Sequence, residues 1–148
     1  METVIRHMSR NVPAVTPDTT VQEATERMKQ GHCGVVVVLD WWSAVGLFSE
    51  HELAERVVSE RLDPRKTMVS EVMSSKPITV PGMVDPHEAL NLMKEQNCQF
   101  LLLVSPEGDY EGVISVENLL EDCNDALKNE NQDLVSYVHS DFLTKKTA

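Results

Sequence analysis

Two short segments hold residue types that could do chemistry: Gly46-Leu47-Phe48-Ser49-Glu50-His51-Glu52 and Gly112-Val113-Ile114-Ser115-Val116-Glu117-Asn118. Each places a hydroxyl after two apolar residues and a second polar side chain three positions later. Two uses fit that spacing. The serine can cap a helix by accepting from its first backbone N–H groups. Alternatively, the hydroxyl and the polar group one turn on can hold a ligand at the helix end. Ser49-x-x-Glu52 is also the capping-box signature, in which the carboxylate folds back onto the serine's own N–H. His51 and Arg56, on the same helix, are placed either to meet phosphates or to be solvated.

Other reactive residue types are scattered. His7, His32, His51, His87 and His139 stand singly, with no HExxH or CxxC-with-His set, so no metal site is expected. Cys33, Cys98 and Cys123 lack ligand-like spacing. No Walker loop, Gly-x-Ser-x-Gly or motif-placed Ser/His/Asp set is present, which argues against an enzyme. Trp41-Trp42 falls at a turn, where exposure is costly. Packing on a neighbouring helix, contact with another subunit or partner, and stacking on an aromatic ligand are the three uses open to the pair.

The elements that must position these groups come from a duplication. Met28 and Met93 lie 65 positions apart, and at that offset Met8 matches Met73, Val15 matches Val80, Ala24 matches Ala89 and Cys33 matches Cys98. After one extra residue in the turn 105–111 the offset becomes 66, so that Gly46 matches Gly112, Ser49 matches Ser115 and Leu53 matches Leu119. Each copy reads β-α-β-β-α. A short extended piece precedes a helix opened by Thr20 with Glu23, or by Asp85-Pro86-x-Glu88. Then comes an apolar run, VVVVL or FLLLV, that reads as a strand buried on both faces. A turn, a second strand and a second helix follow. The expected boundaries are 1–62 for the first unit, 63–72 for a linker, 73–123 for the second unit and 124–148 for a C-terminal helical extension. In that extension Leu127 and Leu134 continue a heptad-like stripe that serves either as an interface or as packing on its own domain.

Composition narrows the function classes. The chain has 148 residues, 41% hydrophobic and 25% charged, which is globular, and a net charge of −11. Such a surface repels duplex nucleic acid and anionic lipid. No apolar run approaches the roughly 20 residues of a spanning helix. The start METVIRHMSR has no apolar signal core, and a sparse, odd cysteine count fits a reducing compartment, so the expectation is cytoplasmic.

The chain resembles a tandem pair of cystathionine β-synthase (CBS) domains, the Bateman module. The segments that support this are VPAVTPDTTVQEATERMKQGHCGVVVVLD, GLFSEHEL, LDPRKTMVSEVMSSKPITV, EALNLMKEQNCQFLLLVS and GVISVENL, covering about residues 5–123. It is similar to stand-alone bacterial members with a C-terminal helix. The resemblance implies an α/β fold of two units related by a pseudo-twofold axis, commonly a homodimer, that acts on an unknown protein partner. It implies no required cofactor but an adenosine effector such as AMP, ADP, ATP or S-adenosylmethionine, held in the clefts between units. The family's pattern is Gly, two apolar residues, Ser or Thr, two variable residues, then Asp or Asn. By it, Ser115 and Asn118 would hold the ribose in the second unit, with Ile114 beside them in the site and Ile78, Thr79 and Val80 on the base side. Ala14, Val15, Ser49 and Glu52 are the first unit's counterparts, where Glu52 departs from the pattern and reads better as a cap. The alternative is a structural or interaction module with a decayed site, acting through dimerisation.

Overall fold

The computed structural model describes residues 12–120. The first unit runs β1 (Ala14–Val15), α1 (Val21–Gln30), β2 (Val35–Asp40), β3 (Ser43–Ser49) and α2 (Glu50–Glu52), which passes into a π-helical stretch over Leu53–Val58. A short α3 (Val69–Val72) follows. The second unit repeats the order as β4 (Thr79–Pro81), α4 (Pro86–Gln96), β5 (Phe100–Val104), β6 (Tyr110–Ser115) and α5, described over 116–120. The doubled β-α-β-β-α order read from the repeat is therefore present. Each unit has a three-stranded sheet with a parallel pair followed by an antiparallel pair, ordered β1-β2-β3 and β4-β5-β6.

Local chemistry starts the helices where the sequence places them. Thr20 Oγ1 accepts from the Glu23 N–H at 3.2 Å, and Asp85 Oδ1 from the His87 N–H at 2.7 Å. Such caps satisfy donors that a helix start leaves without intrahelical partners. α4 ends on Asn97 in the left-handed conformation, a role asparagine tolerates.

The apolar strands bury both faces, and alternation decides what each face meets. On β2, Val36 and Val38 pack with Val21, Ala24 and Met28 of α1 in the first unit's own core. Val35 and Val37 face the other way, where with Leu47 they meet Leu102 of β5 and Val113 of β6. Leu101 and Leu103 turn back to Ala89, Leu90 and Met93 of α4. The two sheets are thus joined through a shared apolar layer. Full burial of one such side chain is worth about 1.5–3 kcal/mol.

The segment 63–72, expected as a linker, is built into the first unit. Val69 and Val72, three apart on α3, bury in the core that contains Val57 and Phe48. Its backbone is tied down as well: the Val69 N–H donates to Thr19 O at 2.7 Å and the Val21 N–H to Thr67 O at 2.9 Å. The two valines share one helical face, and that face is what the sequence reading left unassigned.

Candidate functional site

Ser49 and Ser115 end β3 and β6 and begin the helices that follow. At Ser49, the serine N–H and Oγ both donate to Glu52 Oε1 at 3.0 Å, and the His51 N–H donates to Ser49 Oγ at 3.2 Å. Both residues are buried, Glu52 at 8% exposure. Ser115 makes the same arrangement with an amide. Its Oγ donates to Asn118 Oδ1 at 2.7 Å, its N–H reaches the same oxygen at 3.3 Å, and Ser115 Oγ accepts from the Asn118 N–H at 3.0 Å. Glu52 and Asn118 therefore both fold back as caps. Each spends one atom on this: Glu52 Oε2 and Asn118 Nδ2 have no protein partner among the described residues. Cap and ligand-binding roles are compatible, since the second atom of each group stays available to a cleft.

Each serine turn opens into its own cleft, and both clefts lie between the units. The larger, about 740 Å³, sets Leu47, Ser49, Glu52 and Arg56 of the first unit against Lys76, Pro77, Ile78, Asn97 and Cys98. The smaller, about 400 Å³, sets Val113, Ser115 and Asn118 of the second unit against Val12, His32, Cys33 and Gly34. These volumes are those of small-molecule sites. The linings correspond at the repeat offsets: Leu47 with Val113, Ser49 with Ser115, Glu52 with Asn118, Pro77 with Val12, Asn97 with His32 and Cys98 with Cys33. Each turn faces the strand start of the opposite unit, as a twofold relation requires. The clefts meet at Ser49, His51, Gln99 and Phe100, which line both.

This geometry regroups the expected residues. Ile78 was expected beside Ser115 and Asn118 but lines the cleft of Ser49 and Glu52. Thr79 and Val80 line neither cleft: Val80 is 5% exposed within the second unit's core, and Thr79 points to the surface. Ile114 is fully buried in that same core and also lines neither. Ala14 and Val15 edge a separate shallow depression with Leu39 and Trp41. The reason is strand alternation together with the crossing of the units, neither of which a one-unit motif reports. The sequence reading missed the residues at the starts of β2 and β5. Their signal was the Cys33–Cys98 equivalence, read as burial alone.

Gly46, the first residue of the motif, has a steric reason. The chain returning from α3 crosses β3, with the Leu47 N–H donating to Ser74 O at 3.1 Å and the Ser74 N–H to Leu47 O at 2.8 Å. A Cβ on residue 46 would sit 2.8 Å from Ser74 O and 2.9 Å from Met73 Cγ. Arg56 fixes the same crossing from the helix side, its Nη1 donating to Val72 O at 3.2 Å and Met73 O at 2.8 Å. Burial pushes the Cys98 thiol up from its ordinary pKa, and backbone N–H groups pull it partly back. Among the described residues no His/Cys/Asp/Glu group is placed to hold a metal, and no helix is long and apolar enough to cross a membrane.

Trp41 and Trp42 form the two-residue turn between β2 and β3, and both are open to solvent, at 87% and 82%. Among the described residues, neither packs on a neighbouring helix. Trp41 also takes a positive φ of 60°, unfavourable for a bulky residue. Leu127 and Leu134 lie outside the described residues.

Comparison with known proteins agrees with the architecture. The CBS domain model matches twice, over residues 3–59 and 69–125. The CBS domain-containing protein YhcV of Bacillus subtilis is 28% identical over 119 residues, covering 80% of this chain and 84% of its own. An uncharacterised protein of Methanopyrus kandleri is 27% identical over 113 residues, and the match covers 76% of this chain and 58% of that protein. For the CBS domain-containing protein CBSCBSPB1 of Arabidopsis thaliana the figures are 33% identity over 104 residues, 69% of this chain and 19% of that protein. The chain therefore spans only part of two of these relatives. Among solved structures, a CBS domain protein of Thermoplasma acidophilum superposes with a TM-score of 0.80 at 21% identity, covering 99% of this chain and 77% of that one. A CBS domain protein of Pyrobaculum aerophilum complexed with AMP superposes at 0.74 with 20% identity, covering 94% of this chain and 99% of that one. These two show the fold alone. With both repeats matched and the β-α-β-β-α order seen twice, the chain belongs to the CBS domain family as a tandem CBS pair.

Proposed function

We propose that this CBS pair is a regulatory binding module that senses an adenosine-containing ligand, AMP, ADP, ATP or S-adenosylmethionine, and passes the bound state to a protein partner. The observation behind this reading is the pair of inter-unit clefts, each with a serine turn on one wall and the opposite unit's strand start on the other. The AMP bound by the P. aerophilum relative supports the ligand class. A ligand that bridges two units stabilises one relative placement of them, and it shifts an equilibrium only by its differential affinity for the two states. No catalytic chemistry is assigned, and we place the module in the cytoplasm as a homodimer. Thermal shift and calorimetry with the four ligands test the reading. A true ligand at 100 times its Kd raises stability by about 2.7 kcal/mol. No shift with any of the four at millimolar concentration refutes sensing of this class.

The exposed Trp pair supports a second reading, a module acting through protein contact. On that reading Trp41→Ala or Trp42→Ala changes the oligomeric mass in light scattering, and an unchanged mass in both variants counts against it.

A further inference from the structure

The two clefts match in position and differ in charge. In the larger one Arg56 and Lys76 stand against the single carboxylate of Glu52. The smaller contains Glu50 and Glu117 with His32 and His51, and no Lys or Arg among its described lining residues. Resting on the adenosine-binding reading above, we infer that the larger cleft is the phosphate-accepting site and that the smaller one discriminates against phosphate.

The cations of the larger cleft are available. Among the described residues Arg56 bonds only two carbonyls, both through Nη1, which leaves Nε–H and the Nη2 hydrogens for a ligand. A guanidinium fixed in this way loses little freedom on binding an anion. Lys76 makes no ion pair or hydrogen bond with any described residue. In the smaller cleft the Glu50 carboxyl lies over Gly34, where a Cβ would come within 3.2 Å of it. On a chain of net charge −11, a phosphate needs such a local excess of cations to bind at all. The smaller cleft, with an Asn118 Nδ2 that bonds no described residue and with its carboxylates, suits an uncharged or cationic adenosine compound.

The clefts have built-in reporters, because Cys98 lines the larger and Cys33 the smaller, and both are free and partly exposed. Iodoacetamide labelling followed by peptide mass spectrometry, with adenosine or AMP present, reads each site separately in the full chain. AMP is expected to slow alkylation of Cys98 and leave Cys33 unchanged, with calorimetry giving AMP about fivefold tighter binding than adenosine. Lys76→Ala should remove most of that advantage, and Lys76→Glu should make AMP the weaker ligand. Lys76 is exposed and bonds no described residue, so neither variant threatens the fold. AMP protection of Cys33 in place of Cys98, equal protection of both, or an AMP advantage unchanged in Lys76→Glu overturns the inference while leaving adenosine binding intact. Binding of neither adenosine nor AMP, with both cysteines unprotected, refutes the underlying reading and this inference with it.

Discussion

Gly46→Ala puts the steric argument for the motif glycine to a test of sign. Strand propensity alone favours the change, since glycine inside a strand costs roughly 0.5–1 kcal/mol relative to alanine. The observed packing predicts the reverse. The added methyl would sit 2.8 Å from the Ser74 carbonyl oxygen, and that oxygen is fixed by the Leu47 N–H at 3.1 Å. Met73 can shift its side chain, but the backbone cannot retreat without breaking the bridge between Leu47 and Ser74. Overpacking of this kind costs about 1–3 kcal/mol, and a lost buried hydrogen bond adds about 1 kcal/mol. The net expectation is a destabilisation of about 1–3 kcal/mol, read by urea unfolding as a lower midpoint with unchanged slope. For a chain of this size that is a drop of roughly 3–10 °C in Tm. Ser74 also lines the larger cleft, so ligand affinity there should fall with stability. A variant as stable as the parent, or more so, would show that the crossing chain does not press on residue 46.

Three further outcomes follow from the geometry. Glu52→Ala should lower stability by about 1–3 kcal/mol in chemical unfolding, because it strands the Ser49 N–H and hydroxyl in a buried place, whereas Glu52→Gln keeps the oxygen acceptor and should cost under about 1 kcal/mol. Trp41→Asn should raise the stability of the isolated chain by about 0.5–1 kcal/mol, since asparagine accepts a φ of 60° and the exposed indole offers little packing. Because the folded chain raises the Cys98 pKa above its ordinary 9.0, the unfolded thiol loses its proton first as pH rises. The folded state's advantage is full below about pH 9 and declines above it, and a Cys98→Ala variant should lack this alkaline decline in a pH series of melts.

The repeat made the element order legible, because the 65-residue offset survives in both helix caps and both buried strands. Thr20, Asp85 and Ser49 could be read as caps because a cap is a local interaction, completed within three residues. The site was legible only in part. Ser115 and Asn118 were singled out by spacing, yet the cleft they line is also lined by Val12, about a hundred residues away in the chain, and by His32 and Cys33, about eighty away. Pairing between distant segments leaves no period within a single unit, so Ile78 was grouped with Ser115 although it lines the cleft of Ser49 and Glu52. The expected contrast between a capping Glu52 and a ligand-holding Asn118 also gives way, because an amide and a carboxylate make the same bonds to a serine turn. The difference lies in charge around the clefts, which depends on residues that the motif does not contain.

The exchange of walls between the units has a consequence for how such a protein can change over time. Neither half of the gene encodes a complete pocket. A substitution at Lys76 or Cys98, written in the second repeat, alters the site named for the first, and one at His32 or Gly34 alters the other. The copies are therefore not spare parts in which one is free to drift while its twin keeps a whole cleft. Cutting the chain between them would leave two capped serine turns, each with one wall of its cleft gone.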